Sequence, residues 1–169
     1  VASMKRKIIL STGMSFLKEV EFAIKTLKKA GIPKKDLTIL HCNTEYPTPL
    51  SDVNLRAMLT LKDKLRVDVG YSDHTNSTEV SMCAVALGAR IIEKHITLNK
   101  FKRGADHRIS LEPKEFKLMV DKIRRAQTML GNEKFALKLS FKKKREKLLR
   151  CLTAKEEIKK GDIFSFKNI

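Results

Sequence analysis

Two histidines are the residues of this sequence best suited to chemistry. His74 and His95 each end a short β-rich segment, and the two segments are neighbours along the chain. Imidazoles at the ends of adjacent strands can converge, and two of them with open positions suit a divalent cation such as Mn²⁺ or Zn²⁺ that keeps water or substrate ligands. The same pair also fits a hydrogen-bonded structural role or an acid–base role. Spacing alone leaves these interpretations open.

Polar and reactive residues follow the other predicted strands as well. Ser11 follows the first strand, residues 41–44 follow the second, residues 72–74 follow the third, and Glu93 stands with His95 at the fourth. In parallel α/β folds the carboxyl ends of the strands form the functional face. Four strand ends that deliver such side chains to one face therefore indicate a site there.

The elements that position these residues alternate between strand and helix. Strands are predicted at about 7–10, 37–40, 67–71 and 90–95. Helices with apolar faces are predicted at about 15–30, after an N-cap at Asp52, at about 77–87 and at about 112–130. Such alternation implies a parallel sheet with right-handed crossovers.

The pattern changes after Gly131. Residues 132–147 are charged and aperiodic, which predicts a basic linker. Beyond it we expect a strand at 148–153, a short helical turn at 154–158 and a turn at 159–162. This last segment is too short for a core of its own, so we expect it to be the start of a domain that is cut at Ile169.

Composition narrows the class of protein. The hydrophobic share of 42% supports a packed core, and no apolar run approaches the ~18 residues of a membrane span. The formal charge is +17, which would attract small anionic substrates, and its densest run is Lys142–Arg145. That run contains no aromatic residue for stacking bases, so we interpret it as a solvated linker and expect no nucleic-acid partner. Three widely spaced cysteines favour a reducing cytoplasm.

Several ordered motifs resemble the sialic acid synthase family, which includes N-acetylneuraminate, legionaminic acid and pseudaminic acid synthases. The end of the chain, from Leu152 to Ile169, resembles the start of the antifreeze-like (SAF) domain of that family. The resemblance covers essentially the whole chain. The motifs are Ser11–Met14, His41–Cys42 with Tyr46–Pro49, Gly70–Thr75, Ala86–Ala89, Glu93–His95 and Asp106–His107.

The resemblance implies an α/β fold, the (β/α)₈ TIM barrel. Residues 1–131 would form its C-terminal half, about strands 5–8, followed by the linker at 132–147 and a truncated SAF domain at 148–169. The absent first half would supply a catalytic Glu and several Lys, and the complete SAF domain would supply an Arg to the partner subunit in a homodimer. We therefore expect this chain to be inactive alone, or to need a complementary fragment.

The implied reaction condenses phosphoenolpyruvate with an N-acetylated amino sugar, such as N-acetylmannosamine, to a nine-carbon 2-keto acid and phosphate. His74 and His95 match the metal ligands of the family, with Mn²⁺ or Mg²⁺ as the cofactor, and are the expected catalytic residues. The alternatives are an N,N'-diacetyllegionaminate synthase and a non-catalytic protein that binds anions or nucleic acid.

The substrate-binding positions also carry over from the resemblance. Ser11 and Ser72 match residues that contact phosphoenolpyruvate, and Tyr46 lies on the matching phosphate-side loop. The family has an Asn before that Tyr, which aligns with Asn43 or Thr44. The remaining two positions are Asp106, which matches an acidic residue that binds the amino sugar, and Glu93, for which orienting the metal site, binding sugar and a structural role stay open. Ala105 stands where the family often has Pro.

Overall fold

A computed structural model describes residues 1–169, which divide into one unit of residues 1–131 and another of residues 132–169. Four parallel strands of the first unit pair in chain order, and together with their helices they form a curled half barrel. This confirms the predicted α/β half barrel. The strands are β1 (Ile8–Ser11), β2 (Leu37–Cys42), β3 (Asp68–Asp73) and β4 (Ile92–Lys94), and the helices are α1 (Leu17–Lys29), α2 (Ala57–Leu65), α3 (Glu79–Ala86) and α4 (Pro113–Leu130).

The strand side chains alternate between a helix-facing side and an inner side. On the helix-facing side, Ile39, Val69 and Tyr71 are buried in one cluster with residues of α1 and α2 such as Ile24 and Met58. Because successive residues of a strand point to opposite faces, the other set of strand residues lines the inner side of the curl. That set is Leu40, Cys42, Gly70, Ser72 and Glu93.

Gly70 allows the fourth strand to approach the third closely. A Cβ atom at Gly70 would lie 2.5 Å from the main-chain oxygen of Ile91 and 2.6 Å from Cδ2 of Leu40. Two main-chain hydrogen bonds join the strands here, one from Tyr71 N to Ile91 O (3.0 Å) and one from Arg90 N to Val69 O (2.8 Å). Only glycine fits here, since any larger residue would push the two backbones apart.

Helices α1 and α4 each begin at a residue whose main-chain N–H has a side-chain acceptor three residues on. Phe16 N donates to the Glu19 carboxylate at 2.7 Å, and Glu112 N donates to the Glu115 carboxylate at 2.8 Å. Such contacts help to stabilise a helix start because the N–H groups there have no acceptor within the helix. None of the helices combines the length and the apolar character needed to cross a membrane.

The predicted N-cap at Asp52 is wrong. Asp52 ends a short 3₁₀ turn at Leu50–Asp52, and α2 begins only at Ala57. Asn54 lies between the 3₁₀ turn and α2 and has a φ of +43°. A residue in this left-handed conformation cannot continue a right-handed helix, so the two helical segments stay separate. The main-chain oxygen of Asp52 instead accepts a hydrogen bond from the Asn43 side chain.

The second unit differs from the prediction. It contains helix α5 (Leu139–Leu148), most of which falls in the segment predicted to be a basic linker, and it has no strand at 148–153 and no helical turn at 154–158. Lys, Arg, Leu and Glu are good helix formers and the segment lacks Gly and Pro, which accounts for the helix. A strand needs a partner for its backbone groups, and this unit offers none. The predicted turn at 159–162 is present, with Asp162 N donating to Lys159 O at 3.1 Å.

Candidate functional site

The His74 and His95 rings meet just beyond the ends of β3 and β4. Their centroids are 5.3 Å apart and their planes are inclined at 80°. The Tyr46 ring packs on His74 at 4.3 Å and lies 6.1 Å from His95. Asp106 places a carboxylate oxygen 3.8 Å from Nδ1 of His95. The structure thus brings together two expected metal ligands and two expected substrate-binding residues.

The loop after β2 holds the His74 ring. Nδ1 of His74 lies 2.6 Å from the main-chain oxygen of Asn43, and because a carbonyl only accepts, Nδ1 carries the hydrogen. Asn43 in turn donates from its side-chain amide to the main-chain oxygen of Asp52 at 2.7 Å. In the neutral imidazole this leaves the lone pair on Nε2.

Ser72 stands between His74 and Glu93. Its Oγ lies 2.6 Å from a Glu93 carboxylate oxygen and 3.3 Å from Nε2 of His74. The hydroxyl has one hydrogen, and the shorter contact to the carboxylate uses it. The Nε2 lone pair of His74 therefore has no hydrogen-bond donor and remains free for another partner.

These residues are chemically suited to a divalent cation. A free imidazole lone pair beside a second imidazole offers nitrogen ligands, and a carboxylate that orients a neighbouring group is a common outer partner of such ligands. No group of three or more His, Cys, Asp and Glu side chains has the geometry to hold a metal ion. A cation bound by His74 and His95 would thus keep most of its coordination positions for water or substrate.

Ser11 and Thr44 lie at the same edge of the sheet but apart from the histidine contacts. Ser11 is in register with Leu40 at the end of β1, and the Thr44 methyl group packs where Gly13 has no side chain. Neither side chain hydrogen-bonds to the histidines, whose ring nitrogens contact Asn43, Ser72 and Asp106.

Cys42 lies on the inner side near this edge. Burial raises the pKa of its thiol, main-chain N–H groups of Thr12 and Gly13 oppose that effect, and the Glu93 carboxylate adds to it. The group therefore stays a protonated thiol at neutral pH, in which form it is a poor nucleophile.

Sequence reasoning missed a buried ion pair behind the site. The Asp73 and Lys94 side chains are both 0% exposed, and their charged atoms are 3.1 Å apart. Burial lowers the pKa of Lys94, and the Asp73 carboxylate opposes that effect. The position of the two residues in the sequence could have revealed the pair. Asp73 directly precedes His74 and Lys94 directly precedes His95, so both side chains must point to the face of the sheet opposite to the histidines.

A comparison with protein families decides the relationship. The model of the NeuB family matches residues 1–135. The chain belongs to the NeuB family. This confirms the resemblance to the sialic acid synthases that the motifs indicated.

Individual relatives of this NeuB-family chain agree with the family match. The N,N'-diacetyllegionaminic acid synthase of Campylobacter jejuni is 48% identical over 169 residues, which are 100% of this chain and 51% of that protein. A pseudaminic acid synthase of the same species is 41% identical, over 100% of this chain and 48% of its own length. The chain therefore spans about half the length of the curated relatives it matches.

A solved structure supports the fold. The crystal structure of the N-acetylneuraminic acid (sialic acid) synthetase from Leptospira borgpetersenii, in complex with citrate, matches with a TM-score of 0.77 and 38% identity. The match covers 89% of this chain and 53% of that one. The four parallel strands are thus part of a NeuB-type barrel.

Proposed function

We propose that this NeuB-family chain acts in the condensation of phosphoenolpyruvate with an N-acetylated amino sugar, such as N-acetylmannosamine. The products would be a nine-carbon 2-keto acid and phosphate, as used in the biosynthesis of sialic acid-like carbohydrates. The observation that carries the proposal is the meeting of the His74 and His95 rings at the carboxyl ends of β3 and β4, with the Nε2 lone pair of His74 free.

His74 and His95 would hold a divalent cation, Mn²⁺ or Mg²⁺. Such a cation, when bound, polarises the aldehyde oxygen of the acceptor sugar. Two neutral imidazoles suit this role because they leave the charge of the ion uncompensated by the protein. Asp106 lies within 3.8 Å of His95 and is exposed enough to accept hydrogen bonds from the amino sugar.

Hydroxyl groups would bind phosphoenolpyruvate. Ser72 can turn its hydrogen from Glu93 towards an oxygen of the substrate, and Ser11 offers a free hydroxyl at the end of β1. Tyr46, and either Asn43 or Thr44 on the same loop, would face the phosphate. The net charge of +17 favours the approach of this anion.

The rest of the assembly is also part of the proposal. A first barrel half and a complete SAF domain would complete the site, in a homodimer, with residues 132–147 as the linker and 148–169 as the start of the SAF domain. Supporting this, the Campylobacter legionaminic acid synthase aligns beyond residue 135, where the family match ends. We propose a cytoplasmic location, because Cys42, Cys83 and Cys151 are all unpaired.

A second acceptor has specific support. The 48% identical relative is a synthase of N,N'-diacetyllegionaminic acid, whereas the relatives named N-acetylneuraminate-9-phosphate synthases are 39% identical or less. This favours a 2,4-diacetamido sugar as the alternative acceptor. Offering both sugars to the complemented enzyme would distinguish them by the rate of keto-acid formation.

Complementation and metal binding test the proposal together. The 169-residue chain is mixed with the first half of the Campylobacter legionaminic acid synthase, and keto-acid formation is assayed with Mn²⁺. We expect activity only in the mixture, and we expect His74→Ala and His95→Ala to abolish both the activity and the Mn²⁺ binding seen by electron paramagnetic resonance.

His41→Gln is the matched control. His41 is a histidine at the end of β2 whose Nε2 contacts the main-chain oxygen of Val53 at 3.0 Å, so Mn²⁺ binding should persist. Mn²⁺ binding that survives His74→Ala would contradict the proposal. Steeply salt-dependent binding of nucleic acid, indifferent to His74→Ala, would favour the non-catalytic alternative.

A further inference from the structure

The backbone ladder between β3 and β4 stops one residue before the site. Ser72 pairs with Glu93 and Asp73 pairs with Lys94, and Asp73–Lys94 is the last pair in register. His74 and His95 are the residues that directly follow the two strands. The regular pairing of the sheet therefore does not by itself fix the separation of their rings.

A buried side-chain contact crosses the strands at that last pair. The Lys94 ammonium lies 3.1 Å from the Asp73 carboxylate, with both side chains fully buried, and also donates to the main-chain oxygen of Thr75. Lys94 therefore contacts the residue before His74 and the residue after it. We call these two contacts of Lys94, to the Asp73 carboxylate and to the main-chain oxygen of Thr75, the tie. The tie connects the residues on both sides of His74 to the residue that precedes His95.

The Asp73 carboxylate also accepts hydrogen bonds from three further donors, two on Thr75 and one on Ser81. These donors are Thr75 N at 2.9 Å, Thr75 Oγ1 at 2.7 Å and Ser81 Oγ on α3 at 2.6 Å. A buried carboxylate that accepts from four donors has one well-defined position, because moving it would break several of these contacts at once. The anchor of the tie is thus rigid.

The Asp73–Lys94 pair lies on the opposite face of the strands from Ser72 and Glu93. On the inner face, the cross-strand contact between Ser72 and Glu93 involves groups that substrate would engage. The Asp73–Lys94 pair lies on the opposite face of the strands, where Asp73 accepts a hydrogen bond from Ser81 of α3, and so it shares no contact with Ser72 and Glu93.

We propose that the buried Asp73–Lys94 pair is a positioning element that sets the separation of the His74 and His95 imidazoles. Its importance for catalysis rests on the proposed function, whereas its effect on ring geometry does not. The two residues touch no reacting atom and act only through the histidines.

Lys94→Met in the 169-residue chain is the direct test. It removes the tie to β4 and leaves Asp73 with its three other donors. We expect the nuclear Overhauser contact between the two imidazole rings to be lost in the metal-free chain. We also expect the Kd for Mn²⁺ to rise about 10–100-fold, the range found when the supporting partner of a metal ligand is removed. Lys94→Arg should restore part of both, since a guanidinium can reach the same carboxylate.

Lys122→Met is the matched control. Lys122 also joins two elements through two contacts, to Glu79 and Thr78 at 2.9 Å each, but lies away from the histidines. It should leave the ring contact and the Mn²⁺ affinity unchanged. If Lys94→Met does not fold, Asp73→Leu combined with Lys94→Met replaces it, because exchanging both partners of a buried ion pair for apolar residues commonly preserves stability.

The outcomes separate the two proposals. An unchanged contact between the imidazole rings in the folded Lys94 variant overturns the positioning role. A wild-type chain that shows the ring contact but binds no Mn²⁺ overturns the proposed metal function, and the positioning role is then judged on the ring contact alone.

Discussion

Nδ1 of His74 donates a hydrogen bond to the main-chain oxygen of Asn43 at 2.6 Å, across the ends of β3 and β2. A main-chain carbonyl of the loop after β2 thereby selects the tautomer of the histidine that follows β3. The ring nitrogen that faces the site is left without a hydrogen, as a metal ligand requires. The histidine is prepared for its proposed role by a residue 31 positions earlier in the chain.

Asn43→Ala should weaken the hydrogen bond between Nδ1 of His74 and the main-chain oxygen of residue 43. The substitution removes the 2.7 Å hydrogen bond from the Asn43 amide to Asp52 O, so the loop that presents the Asn43 carbonyl loses its anchor. We expect the Kd for Mn²⁺ to rise by about 10-fold and the imidazole Nδ1–H resonance of His74 to weaken. Asn132→Ala serves as the control, because it makes the same substitution in the second unit and removes only the acceptor of Lys134 N. An unchanged Nδ1–H resonance would show that the loop does not depend on the Asn43 side chain.

The Tyr46 ring should contribute to metal binding and its hydroxyl to phosphoenolpyruvate binding, and two variants should separate these contributions. The ring packs on His74 at 4.3 Å, and such a pair contributes about 0.5–1.5 kcal/mol. Tyr46→Ala should therefore weaken Mn²⁺ binding, whereas Tyr46→Phe should keep it. If the hydroxyl binds phosphate, the Phe variant loses affinity for phosphoenolpyruvate alone, as measured in the complemented enzyme. Equal loss of metal affinity in both variants would refute a role for the ring.

Gly70→Ala should destabilise the sheet where β3 and β4 approach. The added methyl group would sit 2.5 Å from a main-chain oxygen, and backbone cannot rotate away as a side chain does. Overpacking of this kind costs about 1–3 kcal/mol, to be measured as the free energy of unfolding in urea. Gly31→Ala is the control. Nothing lies within 4 Å of the added atom there and only the positive φ of +89° is strained, so a cost as large as that of Gly70→Ala would contradict the steric explanation.

The contact between α3 and α4 should depend on pH. Hydrogen bonds from Lys122 and Ser77 lower the pKa of Glu79 from 4.5 to about 2. Since the folded pKa is below the unfolded one, the stabilisation is complete above about pH 4.5 and is lost as the pH falls towards 2. The Glu79 side chain is 62% exposed, so the effect at pH 7 is about 0.5–1 kcal/mol.

Urea unfolding of the wild type and Glu79→Gln from pH 7 to pH 2 measures this effect. The difference in unfolding free energy should shrink steadily as the pH falls. Lys122→Met, which removes the partner from the other helix, should show the same trend. A difference that stays constant with pH would mean that the carboxylate charge does not contribute.

Much of the fold follows from local patterns. The alternation of apolar strand segments with amphipathic stretches predicts all four βα units, because burial of one face requires those periods. The placement of His74, Ser72 and His95 directly after strands predicts one shared edge. The strand expected at 148–153 is absent, because strand formation depends on a partner that sequence pattern does not reveal.

Sequence by itself therefore determined three things. Its ordered motifs resemble one family and through that resemblance implied the half barrel, and its alternation of strand and helix periods predicted the edge at which the histidines lie. Tertiary structure alone decided which side chains meet there. The Asn43 carbonyl on His74, the hydroxyl of Ser72 between two acceptors and the Lys94 tie to Asp73 all join residues from different strands. Such contacts depend on strand register and on ångström-scale backbone approach, as at Gly70, which no local pattern encodes.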